Sequence, residues 1–190
     1  MKILIEGIPG TKKGLIYQKL RNTYDIEVWR KRKRINWDLK TQCFQMEVDF
    51  MLQSKEEEDQ YMIHDSEYSI VHVYSELFHD LGYLNQHELE QLHKLGDFLV
   101  IEGNVIIYLF GDLEMCYKRY LEEIEETEDI MDQKTFQDLY SKYEWVFDSH
   151  NCKTKLYKVN IEENLDQVVA SILVILQQIV EFRDKLNTSV

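Results

Sequence analysis

The chain has 190 residues and a formal net charge of −13, which is enough length for one domain with a sizeable core. That acidic balance excludes a general nucleic-acid binder, which needs a positive field to neutralise phosphates, and no run of about eighteen uncharged apolar residues is present to span a membrane. With seven glycines and one proline the composition offers no long disordered linker, so a single domain over residues 1–190 is expected.

Cys43, Cys116 and Cys152 are widely spaced and form no C-x-x-C. They read as reduced thiols of a cytoplasmic or nuclear protein, not as a zinc site, and no metal site is expected. The first residues enter a strand at once, without the pattern of a signal peptide, so secretion is not expected.

Residues 2–6 read as a buried strand. It runs into Gly7-Ile8-Pro9-Gly10-Thr11-Lys12-Lys13-Gly14, and a helical pattern follows over about residues 11–22. A strand, a glycine turn with lysines and then a helix is the layout of a phosphate-binding loop. In such a loop backbone N–H groups and a lysine cradle an anion at a helix N-terminus. Laid on Gly7, G-x-x-x-x-G-K-[ST] retains only Gly7 and Lys13; Lys12 stands at the second glycine and Gly14 at the hydroxyl residue. Gly7, Gly10, Lys12 and Lys13 are the candidate phosphate-binding residues.

Ile26-Glu27-Val28-Trp29 is a second strand candidate. The basic run Arg30 to Arg34 that follows is a solvated loop, a phosphate contact or a nuclear-import signal. Residues 37–54 have roughly helical spacing, and Tyr61-Met62-Ile63 forms a third strand with His64-Asp65-Ser66 at its carboxyl end. Helices are expected over about 67–81 and 86–100. Val105 to Phe110 has the continuous apolar run of a central parallel strand. A helix from Gly111-Asp112 through about 126, another over 132–146, a last strand 155–159 and a long apolar-rich helix over 162–186 complete the chain. Because that last helix is apolar around most of its circumference, it is buried against the sheet or in a subunit interface. Strands alternating with helices define an α/β fold with a parallel sheet of about five strands flanked by helices.

Several segments appear in the order of one known family. His64-Asp65-Ser66-Glu67-Tyr68-Ser69 falls on E-R-S-x-Y-S, and Val105 to Leu109 on I-I-Y-L. Leu113-Glu114-Met115-Cys116-Tyr117-Lys118-Arg119 falls on P-E-x-C-x-x-R, and Phe136 to Glu144 on Y-L-x-x-L-H-x-x-H-E. Upstream, Trp37 to Gln42 sits on W-x-F-x-F-Q. In these segments the chain resembles the deoxynucleoside kinases, the family of deoxycytidine, deoxyguanosine and mitochondrial thymidine kinases. The resemblance implies a three-layer, P-loop-kinase-like fold and transfer of a γ-phosphoryl group from ATP, with Mg2+, to a deoxynucleoside 5′-hydroxyl, and compact kinases of this kind also occur in large DNA viruses. It implies Glu27 and Asp65 as the catalytic candidates and Gln42 as the residue that would read the nucleobase.

The same comparison exposes departures. Gly14 lacks the hydroxyl that would ligate Mg2+. Asp65 replaces an arginine, and Ile70 and Val71 replace the family's downstream aspartate and arginine. Tyr140 and Tyr143 replace two histidines. Glu123 and Glu125 stand where the family has the two arginines of its lid, R-x-R-x-E-E. An arginine supplied to phosphoryl transfer is worth about 10³–10⁵ in rate. The expected function is therefore a deoxynucleoside-kinase-like protein with a degraded transfer site, a weak nucleotide binder or a subunit acting on a protein partner or a second copy of itself. The alternative is a divergent active kinase built on Lys13, Glu27 and Asp65.

Overall fold

In a computed structural model of the chain, the description covers residues 2–28, 63–65, 69–99, 105–124, 131–148 and 154–187. Gln42, the helix expected over 37–54, the basic run at 30–34 and Glu125 lie outside it.

Four strands form one parallel sheet: β1 (Ile3–Glu6), β2 (Ile63–Asp65), β3 (Val105–Phe110) and β4 (Lys155–Asn160), in the order β2-β1-β3-β4. Among the described residues the sheet has one strand fewer than the expected five. Ile26 to Val28 carry no strand, because the backbone N–H of Ile26 turns back onto the carbonyl of Leu20 at the end of the first helix. Of the third expected strand, Tyr61 and Met62 lie outside the described residues; Ile63 is in β2, and His64 and Asp65 belong to β2 itself, paired with Leu4 and Ile5 of β1. All side chains of β1, and all but Phe110 of β3, are buried. That burial matches their unbroken apolar runs, since a central parallel strand is covered on both faces.

The helices are α1 (Lys13–Tyr24), α2 (Ser75–Asp80), α3 (Gln86–Leu99), α4 (Leu113–Glu123), α5 (Gln133–Val146) and α6 (Leu165–Asn187). The single helix expected over 67–81 is split, with a π-helical turn, Ile70–Tyr74, running into α2. Most helix starts carry a side-chain cap. Asp112 accepts from the Met115 N–H at 2.9 Å and Asp132 from the Thr135 N–H at 2.7 Å. Asn85 with Glu88, and Asn164 with Gln167, form reciprocal capping boxes.

The long C-terminal helix resolves the two burial options in part. Val168, Val169, Ile172, Leu176 and Ile179 enter the main core, whereas Val174 is 55% exposed. One stripe packs inward, tied at its start by an ion pair between Lys19 of α1 and Asp166. Tyr143, at one of the two replaced histidines, is buried in the core; its ring stacks 5.7 Å from Phe147, and burial drives its hydroxyl well above the ordinary range. Tyr108 donates to Glu144 at 2.7 Å, which satisfies the polar end of an otherwise apolar cluster.

Candidate active site

In an open parallel sheet ligands bind beyond the carboxyl ends of the strands, where the strand order reverses. Here the chain leaves β1 for β2 on one side and returns to β3 on the other. The Gly7 to Lys13 loop leaves β1 at that point.

The loop is built by its own residues. Thr11 is buried, and its hydroxyl donates to the Ile8 carbonyl at 2.7 Å, closing a tight turn. Gly10 has φ 82°, and a Cβ there would meet the Cys116 carbonyl oxygen of α4 at 2.0 Å. Only glycine combines that backbone with so close an approach. Lys12 takes the left-handed conformation, φ 58° and ψ 27°, at the start of α1 and offers no side-chain cap. Its side chain replaces the family's glycine, yet the backbone keeps a conformation that glycine adopts freely. The uncapped start of α1 leaves its first N–H groups to an anion, in contrast to α3, α4, α5 and α6. The Lys13 ammonium donates back to the Gly7 carbonyl, which holds it over the loop.

Asp65 lies at the carboxyl end of β2, level with Ile5, and accepts a hydrogen bond from the Tyr17 hydroxyl at 2.8 Å. Sequence reasoning gave Tyr17 no role. Glu27 is not brought to this place. It follows α1 at the end opposite the loop, about 18 Å along the helix by its rise, and pairs with Arg21 at 3.1 Å, both side chains being exposed. The structure thus joins Gly7, Gly10, Lys12, Lys13 and Asp65 around one end of the sheet and leaves Glu27 outside.

Beside the loop a cleft of about 180 Å³ is lined by Thr11, Lys12, Ile16, Arg119 and the Ile161 to Leu165 segment. Arg119 also donates to the Ile161 carbonyl at 3.4 Å, bridging α4 to the turn after β4. Its importance was visible in the sequence only as the last residue of a motif. Glu123 ends the same helix. Partial burial raises its carboxyl above the usual range, while Lys13, Lys12 and Arg119 pull it down and Glu122 adds to the rise. Cys116 beneath the loop is buried, and burial lifts its thiol to about 11, so it is inert near neutrality.

These residues fit a polyphosphate: two lysines, an arginine and an uncapped helix start. They do not fit the family's arrangement for Mg2+, because Gly14 offers no hydroxyl and His64 stands where the family's E-R-S segment has its carboxylate. Among the described residues no three of His, Cys, Asp and Glu come together as a metal site, and no helix is long and apolar enough to cross a membrane.

The geometry is that of a P-loop-kinase-like α/β fold. The sequence model described as Deoxynucleoside kinase matches residues 11–183. The chain belongs to the deoxynucleoside kinase family. Deoxyadenosine kinase from M. mycoides with bound dCTP superposes with a TM-score of 0.76 at 17% identity, covering 94% of this chain and 100% of that one. The same enzyme with bound dATP gives 0.75 at 18% identity, covering 93% and 100%. A search among curated proteins finds no match.

Proposed function

We propose that this chain is a deoxynucleoside-kinase-like protein that retains an anion-binding loop and has lost efficient phosphoryl transfer, acting as a weak nucleotide binder or interaction subunit. The observation that carries the reading is Glu123, a carboxylate among Lys12, Lys13 and Arg119 where the family's lid presents arginine. Phosphoryl transfer needs positive charge on the moving group, and here the charge at that position is of the wrong sign. The missing hydroxyl at Gly14 and the reversal of charge at Asp65, where the family has an arginine, point the same way.

In this reading Lys13 and the first N–H groups of α1 hold the phosphates, Lys12 adds charge, and Gly7 and Gly10 allow close backbone approach. Arg119 and the cleft beside it take the rest of a nucleotide. Gln42 keeps its proposed place as the base-reading residue. The interaction role draws on apolar surface such as Trp145, which is 66% exposed, with a protein partner or a second copy as the occupant. The alternative, an active kinase with Asp65 and Glu27 in catalysis, is weakened by the position of Glu27.

The deciding assay supplies ATP·Mg2+ and each of the four deoxynucleosides to purified protein and follows deoxynucleoside monophosphate. Turnover far below about 1 s⁻¹, the low end for kinases, is the expected result. Turnover at or above that rate with any of them establishes the enzyme and removes the proposal.

A further inference from the structure

Helix α4 is locked against the loop. Gly10 packs so closely that a Cβ would lie 2.0 Å from the Cys116 carbonyl oxygen and 3.0 Å from the Tyr120 nitrogen. The register between loop and helix is therefore fixed, and so is the face that α4 turns to the loop. Arg119 on that face lines the cleft together with Lys12. Glu123 is four residues beyond Arg119, and residues at that spacing are neighbours on a helix surface. The charges that act on it are Lys13 and Lys12 of the loop, and Arg119 and Glu122 of its own helix. Asp112 and Glu162 add negative charge nearby, since both act, with Lys13 and Arg119, on the Cys116 thiol under the loop. Glu163 lies on the cleft wall.

We propose that Glu123 is the charge-selecting residue of the loop, a built-in counter-ion that makes the anion site discriminate against highly charged phosphates. The proposal rests on the reading that the loop binds phosphate, and it adds which phosphates. The carboxylate attracts Lys12, Lys13 and Arg119 when no ligand is present and repels any anion that arrives. Attraction to the lysines is lost and repulsion rises with each charge that the ligand brings. Tripolyphosphate is penalised most, pyrophosphate less and orthophosphate least. The favoured ligand class is accordingly a phosphate monoester rather than a free triphosphate. Selectivity of this kind comes from a repulsive element, not from added contacts.

The test is calorimetric titration of orthophosphate, pyrophosphate and tripolyphosphate, without divalent cations, into wild type, Glu123→Gln and Glu181→Gln. Glu181 lies toward the far end of α6 and pairs with Gln177, so its variant matches the net charge without touching the loop. Glu123→Gln is expected to tighten tripolyphosphate about tenfold and orthophosphate about twofold or less, with Glu181→Gln unchanged. Circular dichroism melts establish that each variant is folded. Equal tightening for all three ligands, equal tightening by both variants, or no tightening while wild type binds measurably would each overturn the proposal and leave the anion site standing. No binding of any phosphate by any of the three proteins would remove the anion-site reading, and the proposal with it.

Discussion

The loop keeps its shape through two residues with opposite steric standing. Lys12 holds φ 58° with a side chain that disfavours it, whereas Gly10 holds φ 82° against the α4 backbone with no room for more. Lys12→Gly should stabilise the fold by about 1 kcal/mol, the cost of a left-handed L-residue. Gly10→Ala should destabilise it by about 2 kcal/mol or more through strain and overpacking. Urea titrations of both variants give the sign directly. Asp65 supplies a second residue-scale expectation. Tyr17→Phe removes the hydrogen bond to its carboxylate, at about 1 kcal/mol, and leaves Asp65 available to other partners. If Asp65 takes part in nucleotide binding, this variant changes affinity measured by calorimetry; if it only anchors β2 to α1, it changes stability alone.

Among the elements, the helix starts differ in capping; α2, which continues the π-helical turn, lacks a side-chain cap as α1 does. Helices α3, α4, α5 and α6 are capped by side chains, and α1, which carries the loop, is not. The cap of α5 leaves a pH signature. The Thr135 backbone N–H, with the threonine side chain, holds the Asp132 carboxyl below the ordinary carboxylate range. A carboxyl depressed on folding contributes stability above its unfolded pKa, and that contribution is lost as the pH falls through the folded value. Stability of the wild type against urea should therefore fall on acidification through the carboxylate range. Asp132→Asn caps without titrating, so its stability should fall less steeply over the same range. A variant curve parallel to wild type would mean that Asp132 is not a contributor to acid sensitivity.

For the whole molecule the question is which ligand reaches the carboxyl edge of the sheet. A ligand that binds only the folded state at a hundred times its dissociation constant stabilises by about 2.7 kcal/mol. Thermal unfolding with dAMP and dCMP, with ATP, dATP and dCTP, each with and without Mg2+, and with the four deoxynucleosides, should show larger shifts with the monophosphates than with the triphosphates. Little dependence on Mg2+ is expected, because the hydroxyl that would ligate it is absent at Gly14. A shift that requires Mg2+ would show that the metal is held by groups other than those the family uses. A shift with deoxynucleosides alone would locate the specificity in contacts to the nucleoside rather than in the loop.

Residue periodicity and run length were enough for the α/β class, for β1 and β3 as buried parallel strands and for α3, α5 and α6 within a few residues, because burial on both faces or one stripe writes itself into local sequence. Motif order placed Lys13, Gly10 and Asp65 at one end of the sheet for the same reason: chain order fixes where strand ends fall in a parallel sheet. What local sequence does not encode is the meeting of distant segments. The bond of Tyr17 to Asp65 arises where α1 meets β2, and the cleft that joins Arg119 to Lys12 and Ile161 and the nearness of Glu123 to the loop lysines arise where α4 packs on the loop through Gly10. The return of Ile26 onto Leu20, which removes the expected strand at Glu27, is likewise a matter of where a helix end turns its chain. Side-chain pairs of that kind depend on relative placement of elements in space, and only the tertiary structure decides it.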